Sequence, residues 1–291
     1  MQSRRAFLTC TAGLVAACRA TLLGSSTPAE ITTNLNGPVG LQLWSLREYL
    51  PKDLRGTLAK VRDMGFTEVE GAGLWKHSVA DLRAALDAAG LRCQSAHMAF
   101  ERLRDDMSGA FNEGKAVGAT WIVCPWIPHG KAFTRDDALR SADAFNGFGK
   151  AAEDAGLRFA YHCHGYEFVP STEGTLFDTL AGATDPMRVG FQIDVFHALF
   201  GGADPAKLIE RYRDRVASLH LKDLKKGFPI EAGSAIAPPE ADVPLGTGQV
   251  DMRAVLSATM NGARVIYYLE DESADPLGHI PQSVAYLTSY R

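Results

Sequence analysis

The body of the chain alternates eight short strand-like runs with stretches of helical pattern. The helical stretches carry apolar residues at i, i+3 and i+4, and many of them end on glycine, which commonly follows a helix. Eight strand–helix units in a row predict an α/β fold, a (β/α)8 TIM barrel, over residues 38–291. A doubly wound open sheet is the alternative, but it requires a glycine-rich loop after the first strand, and "LQLWSLREYL" has none. The predicted strands are 39–44, 66–70, 91–97, 120–126, 157–164, 188–194, 216–221 and 265–270.

The N-terminal residues predict a targeting segment rather than part of the folded body. Residues 1–20 contain paired arginines, Arg4 and Arg5, followed by an apolar run too short to span a bilayer as an ordinary helix. "SRRAFL" resembles a twin-arginine export signal, and "VAAC" ending at Cys18 resembles a lipobox. We therefore expect an exported protein, either periplasmic or membrane-anchored through a lipid on Cys18 and facing the periplasm. The alternative is a short basic amphipathic tail; residues 21–37 are predicted to form a polar linker.

The composition argues against nucleic acid as a partner. The chain of 291 residues is 46% hydrophobic and 22% charged, which is typical of a globular protein. Its formal net charge of −4 gives no electrostatic reason to expect nucleic-acid binding. Cys93, Cys124 and Cys163 lie in strand-like runs without a CxxC or zinc-ribbon spacing, so we expect them to be small buried hydrophobes.

Polar side chains follow several predicted strands at the point where each strand ends. In a (β/α)8 barrel these C-terminal ends form the rim at which active sites lie. A single histidine there is more commonly a satisfied packing residue, but charged groups from several strands are costly to bury unless they are paired or bound to metal. A mixed set of histidines and carboxylates suits a divalent ion. The residues are His97 after the third strand, His162, His164 and Glu167 at the fifth, Asp194 and His197 at the sixth, His220, Lys222 and Asp223 at the seventh, and Glu270 and Glu272 at the eighth.

Several of these segments together resemble one protein family. "YHCHGYEF" is similar to the Y-H-N-H-x-x-E-F signature of the sugar phosphate isomerase/epimerase proteins, which have a xylose isomerase-like TIM barrel. "LQLWSLR", "SAH", "IDVFHALFGGADP", "HLKD", "LGTGQVD" and "YYLED" resemble further motifs of that family, and the resemblance covers Pro38 to the C-terminus. The chain departs from the family at Cys163, where asparagine is common, and at Thr247, where glutamate is frequent.

The resemblance implies one divalent metal ion, held by side chains at the ends of the fifth to eighth strands. Mn²⁺ is the expected ion, with Mg²⁺, Co²⁺ and Zn²⁺ as alternatives. Relatives with a carboxylate at the end of the fifth strand use it as a ligand, so Glu167 is the favoured ligand there, and His162 or His164 is the alternative. The ligands implied for the sixth, seventh and eighth strands are Asp194, His220 and Glu270.

The activity implied by the resemblance is that of a sugar isomerase or epimerase acting on a small sugar or keto-sugar. The ion polarises the carbonyl group and stabilises an enediolate, while a base removes the adjacent proton and returns it to the same or a neighbouring carbon. We expect Glu270, His162 or His164 to be the base and Lys222 to donate to a substrate oxygen, unless Lys222 is a surface lysine. Trp44, unless it packs in the core, is expected to contact the substrate with His97 and His197.

Three other functions remain open at this level. A lyase or hydratase acting on a 3-keto-glycoside begins with the same proton abstraction but expels a group from the β carbon. A non-catalytic sugar-binding barrel is a second alternative, although the retained Asp194, His220 and Glu270 argue against it. A metal-dependent DNA-repair endonuclease, which shares the "DVFH" form, requires more ligands and access to DNA.

One long segment after the seventh strand, residues 225–251, is rich in proline and glycine. Loops of this length at the active rim of a barrel are more often functional than not. We expect this loop to cover the site, the alternative being a disordered surface insertion.

Overall fold

A computed structural model describes residues 29–172, 174–234, 236–260, 262 and 264–290. Eight parallel strands close into a barrel in chain order, so that the first strand pairs with both the second and the eighth. This confirms the predicted (β/α)8 barrel. The strands are β1 (Val39–Gln42), β2 (Glu68–Gly71), β3 (Arg92–His97), β4 (Trp121–Cys124), β5 (Arg158–His162), β6 (Val189–Asp194), β7 (Val216–Leu221) and β8 (Ile266–Leu269).

Helices follow the strands and surround the barrel. Within the described residues they are α1 (Leu54–Asp63), α2 (Val79–Ala89), α3 (Phe100–Asp105), α4 (Met107–Val117), α5 (Arg135–Asp154), α6 (Leu176–Ala183), α7 (Val195–Phe200), α8 (Pro205–Arg211), α9 (Met252–Thr259) and α10 (Pro276–Ser289). The helix α2 begins after Ser78, which forms a capping box with Asp81. It ends at Gly90, whose φ of 67° lies in the left-handed region that glycine adopts without steric cost. Local capping chemistry therefore agrees with the helical periodicity.

Four strands, β1, β4, β5 and β8, end earlier than predicted, so some of the rim residues lie in the loops directly above the barrel. β1 ends at Gln42 and is followed by a 3₁₀ turn, Leu43–Leu46, that carries Trp44. β5 ends at His162, so His164 lies beyond the strand. Because all the barrel strands are parallel, the residues that follow them converge at one rim.

The predicted N-terminal linker is partly packed against the barrel. The backbone N–H of Ile31 donates to the carbonyl oxygen of Gly65 at 3.1 Å. The side-chain amide of Asn36 donates to the carbonyl oxygen of Gly262 at 3.2 Å. Residues 1–20, with Arg4, Arg5 and Cys18, lie outside the described residues. No helix in the described part of the chain combines the length and the apolar character needed to cross a membrane.

The apolar core lies between the barrel and its helices. Tyr161 of β5, for example, packs against Phe145 of α5 with ring centroids 4.9 Å apart. The three cysteines Cys93, Cys124 and Cys163 are unpaired and buried, as predicted. Burial raises the pKa of the Cys93 and Cys124 thiols to about 12, so these groups stay protonated and apolar in character.

The long loop after β7 lies along the barrel mouth. Its residues Asp242–Val243 form a short antiparallel pair with Asp223–Leu224. The carboxylate of Asp223 accepts hydrogen bonds from three backbone N–H groups of the same loop, which gives it a structural role. The carboxylate of Asp242 accepts from the backbone N–H of Glu272 at 2.7 Å, so the loop contacts the residues that follow β8.

Candidate metal and active site

Three predicted ligands from adjacent strands form one buried cluster at the rim. Asp194 ends β6, His220 lies in β7 and Glu270 follows β8. The Nδ1 atom of His220 lies 2.9 Å from Oε2 of Glu270 and 3.9 Å from Oδ2 of Asp194. One ligand atom from each residue lies within 4.8 Å of the others. This set can converge on a single ion.

The carboxylate of Asp194 has one oxygen left over for such an ion. Its Oδ1 accepts from the backbone N–H of His197 at 2.8 Å and so caps α7. Its Oδ2 is buried and has no hydrogen-bond partner among the described residues. Burial raises the pKa of Asp194 to about 6. A buried carboxylate oxygen without a partner is costly, and a bound cation would satisfy it, so the residues present fit a metal ion.

His220 is held by a carboxylate on each side. Its Nδ1 faces Glu270, and its Nε2 lies 2.5 Å from Oε2 of Glu70. Burial alone would lower the pKa of His220, but the two carboxylates outweigh it and raise the pKa to about 10. A histidine that donates from one nitrogen to a carboxylate and offers the other is a common arrangement at metal sites.

A second group, His97, His162 and His220, also brings its ligand atoms within 4.8 Å. In this group one nitrogen of His97 and one of His162 already have a partner. The Nε2 of His97 and the Nδ1 of His162 lie 2.8 and 2.9 Å from the same oxygen, Oε1 of Gln192, which leaves Nε2 of His162 as the free nitrogen. His97, expected to contact substrate, lies stacked on His220 with ring centroids 5.4 Å apart. The set with Asp194 is therefore the better metal site.

Lys222 is a buried cation at this cluster. It is only 1% exposed, which contradicts the surface alternative. Its Nζ pairs with Glu272 and lies 3.4 Å from Oε2 of Glu270 and 3.8 Å from Oδ2 of Asp194. Burial would lower the pKa of Lys222, but the neighbouring carboxylates outweigh it and raise the pKa well above its usual value. Lys222 is thus a protonated donor at neutral pH.

Two further histidines lie beside Lys222. The rings of His164 and His197 are 4.6 Å apart, and Nε2 of His197 lies 3.5 Å from Nζ of Lys222. Burial first, and then the charge of Lys222, lowers the pKa of His164 to about 3 and that of His197 well below its usual value. Both Nδ1 atoms are buried without a hydrogen-bond partner among the described residues. These two neutral imidazoles can each bind a substrate group.

Trp44 lies at the mouth of the barrel rather than in the core. It is 41% exposed, and its Nε1 donates to Oε1 of Glu272 at 3.0 Å. Its ring packs on that of Trp75 with centroids 5.8 Å apart. Since Glu272 also pairs with Lys222, Trp44 is joined to the cluster through one carboxylate.

Glu167 lies outside the metal cluster, contrary to the expected role as a ligand. Its carboxylate accepts from the hydroxyl of Tyr161 and from the backbone N–H of His164 at 3.0 and 3.2 Å. Tyr161 points towards α5, whereas His162, its neighbour in β5, points into the barrel with its ring 4.5 Å from that of His220. Because successive residues of a strand point to opposite faces, His162 reaches the ion site and Glu167, which is bonded to Tyr161, does not.

The residues 58–290 match the family profile described as the xylose isomerase-like TIM barrel. The chain belongs to this family.

Individual relatives of this xylose isomerase-like barrel agree with that assignment. An inosose dehydratase of Geobacillus kaustophilus strain HTA426 is 29% identical over 192 residues, or 58% of this chain and 61% of the relative. The chain thus matches less than two thirds of that relative's length. A sugar phosphate isomerase/epimerase structure from Parabacteroides distasonis ATCC 8503 has a TM-score of 0.67 and 23% identity, covering 87% of this chain and 98% of its own. The structure of the IolI protein with a bound zinc atom has a TM-score of 0.68 and 18% identity, covering 87% and 96%. The resemblance inferred from the motifs is confirmed.

Three polar residues contact the site of this xylose isomerase-like barrel although the sequence analysis did not name them. Glu70 ends the predicted second strand, and the same positional signal that marked the other rim residues could have found it. Gln192 lies two residues before Asp194 in β6, so it shares the inward face of that strand. The three residues are Gln42, Glu70 and Gln192.

Replacing Glu167 by Gln is expected to remove a pH-dependent loss of stability. Burial raises the pKa of Glu167 from 4.5 to about 8, so the folded protein keeps a proton that the unfolded chain loses. The unfolding free energy then falls as the pH rises between these values, by up to about 1.4 kcal/mol per pH unit. Urea unfolding at pH 5 and pH 8 should show a smaller difference for Glu167→Gln than for the wild type. The exposed control Glu153→Gln should keep the wild-type difference, and equal pH dependence in both variants would argue against this assignment.

Proposed function

We propose that the protein is a divalent-metal-dependent lyase that removes the proton next to a ketone and expels water or an alcohol from the β carbon. The observation that carries the proposal is the buried cluster of Asp194, His220 and Glu270 with protonated Lys222 beside it. The relative named inosose dehydratase supports the lyase alternative better than the isomerase or epimerase expected from the motifs.

Asp194, His220 and Glu270 would hold the metal ion, with His162 of β5 as the fourth ligand. When bound, a divalent ion supplies Lewis acidity at the substrate carbonyl and so acidifies the neighbouring C–H bond. Carboxylate and imidazole ligands together suit Mn²⁺, Co²⁺ and Zn²⁺, and the neighbouring fold of IolI was solved with zinc. Mn²⁺ stays the first ion to test.

The chain's own residues supply the proton transfers. His164 is neutral and has an unpartnered Nδ1, so it is suited to take the proton from the α carbon. As the double bond forms between the α and β carbons, the C–O bond at the β carbon breaks, and Lys222 gives a proton to the departing oxygen. The products are an unsaturated ketone and water or an alcohol. His164 then loses its proton to solvent, and Lys222 regains one.

The charges of the site favour a neutral substrate. Among the described residues, Lys222 is the only lysine or arginine with its charged group within 4.0 Å of the cluster carboxylates. A phosphate group normally requires several arginine or lysine donors. We therefore propose an unphosphorylated cyclic polyol ketone or keto-sugar. This also agrees with the export proposed from Arg4 and Arg5, because unphosphorylated sugars are met outside the cytoplasm.

Isomerisation or epimerisation is the second candidate. The observation that favours it is the pair of neutral rings of His164 and His197, 4.6 Å apart. In this reaction one ring removes the proton, and a group on the other side of the site returns it to the same or a neighbouring carbon. The product is an isomer, and no group leaves.

The test is incubation of the Mn²⁺-loaded protein in deuterated water with inososes, 3-keto-glycosides and ketoses. Lyase activity predicts α-carbon deuterium in recovered substrate together with a product that has lost water or an alcohol. A product of unchanged composition would support the second candidate. The variant His164→Gln should retain metal and lose deuterium exchange. Absence of deuterium and product with every substrate and with Mn²⁺, Mg²⁺, Co²⁺ and Zn²⁺ would refute both candidates.

A further inference from the structure

Glu70 is the centre of a polar layer that crosses the barrel below the metal cluster. It belongs to β2 and is fully buried. Its Oε2 accepts from Nε2 of Gln42 at 2.6 Å and from Nε2 of His220 at 2.5 Å. Its Oε1 accepts from Oγ of Ser95 at 2.5 Å and from Nε2 of Gln192 at 2.7 Å. Four strands therefore direct a donor at one carboxylate.

This environment leaves Glu70 no capacity to bind an ion or a substrate itself. A carboxylate has about four lone-pair sites, and the four donors occupy them. His97 adds a fifth contact, with Nε2 3.2 Å from Oε2. With its acceptor sites occupied by four donors, Glu70 acts only as an acceptor, as an ionised carboxylate does.

The acceptor determines which nitrogen of each neighbouring histidine carries hydrogen. Because Glu70 accepts from His220, Nε2 carries a hydrogen whether or not the ring is charged, and Nδ1 faces Glu270 and Asp194. Because Glu70 also accepts from the amide nitrogen of Gln192, the amide oxygen must face the other way. That oxygen accepts from Nε2 of His97 and Nδ1 of His162. The unprotonated nitrogen of neutral His162 is then Nε2.

We propose that Glu70 is a positioning residue that orients His220 directly, and His162 and His97 through Gln192, so that Nδ1 of His220 and the unprotonated Nε2 of His162 are directed at the metal site. An ion bound at Nδ1 of His220 would displace the hydrogen that this nitrogen donates to Glu270 in the metal-free protein. Through His220 its negative charge also strengthens metal binding, as carboxylates behind ligating histidines do. The part of this proposal that concerns the ion rests on the proposed function; the part that concerns the hydrogen positions does not.

The chain contains a matched control two residues away. Glu68 lies on the same strand and is also fully buried. Its carboxylate accepts from the backbone N–H of Gln94 at 3.0 Å and from that side chain at 2.8 Å, and it pairs with Arg92. None of these partners belongs to the cluster. Glu68→Gln therefore makes the same chemical change without touching the histidines.

The experiment compares Glu70→Gln with Glu68→Gln in metal affinity and in histidine ring ¹⁵N chemical shifts. Glu70→Gln should weaken Mn²⁺ and Co²⁺ binding about 10- to 100-fold, the range found for residues behind metal ligands, as measured by competition with a chelator. Glu68→Gln should stay within about twofold of the wild type, since it alters no group behind a ligand. In the metal-free wild type the shifts should place hydrogen on Nε2 of His97 and Nδ1 of His162, and Glu70→Gln should disturb this pattern.

A second variant keeps the test decisive if Glu70→Gln does not fold. Gln192→Met removes the amide but leaves Glu70 and His220 in contact, so the pattern at His97 and His162 should change while that at His220 persists. Unchanged ring shifts in Gln192→Met, or unchanged shifts and affinity in Glu70→Gln, would overturn the proposal. A wild type that binds no metal would refute the proposed function, and the ring shifts would still decide the role of Glu70.

Discussion

Replacing Asp194 by Asn is expected to abolish stoichiometric binding of the divalent ion and to lower kcat/KM by about 10³-fold or more. The variant removes the one buried carboxylate oxygen of the cluster that has no hydrogen-bond partner in the described chain. A bound Lewis acid would supply several kcal/mol of transition-state stabilisation, and its loss would correspond to about this factor. Asparagine can still cap α7 with its side-chain oxygen, as Oδ1 of Asp194 does for His197, so the fold should persist. Isothermal titration with Mn²⁺ and steady-state kinetics measure the two effects.

The control for this variant is Asp204→Asn at the start of α8. Asp204 is also an N-capping aspartate, accepting from the backbone N–H groups of Ala206 and Lys207 at 3.1 and 3.2 Å, but it is exposed and pairs with Lys207 rather than with the cluster. The Asp204→Asn variant should bind metal and turn over substrate as the wild type does. If Asp194→Asn also kept full metal affinity, the cluster would not be the metal site.

The barrel could be predicted because its signal is repeated along the chain. Each strand-like run is short and apolar, and each following helix has the period that buries one face against the sheet. The strand boundaries were less accurate: β2 was predicted to start at residue 66 but starts at Glu68, and β5 was predicted to reach His164 but ends at His162. The residues that follow a strand can resemble it in composition although their backbone no longer pairs with a neighbouring strand. The sequence therefore carries little information on where the pairing stops.

The site could be predicted where a residue of metal-binding type also lies on the inward-facing side of its strand. Asp194 and His220 lie inside or at the end of their strands, and their register aligns them as neighbours in the sheet. Glu167 failed because it lies beyond the strand, where parity no longer applies, and a 3₁₀ turn directs it to Tyr161. Glu70 had the right position but was passed over, because an isolated carboxylate at one strand end does not reveal the partners that surround it.

Replacing Lys222 by Met is expected to have a large effect on stability in the metal-free protein. The lysine neutralises carboxylates of Asp194, Glu270 and Glu272, and it is itself 1% exposed. Breaking a buried ion pair by removing one partner typically costs about 3–5 kcal/mol, because the remaining charges are left uncompensated. Methionine fills a similar volume, so little of the loss comes from packing. Urea unfolding in the presence of a chelator measures the difference.

The same variant separates the two roles of Lys222, because a divalent cation can replace its charge but not its proton. Saturating Mn²⁺ should recover much of the lost stability of Lys222→Met through Asp194 and Glu270, while kcat should stay about 10²- to 10⁴-fold below the wild type, the usual range for loss of a general acid. The exposed neighbour Lys225→Met should change the unfolding free energy by no more than about 0.5 kcal/mol and leave kcat unchanged. Wild-type stability of Lys222→Met without metal would show that the carboxylates are protonated rather than paired. Wild-type turnover would assign the proton to another donor.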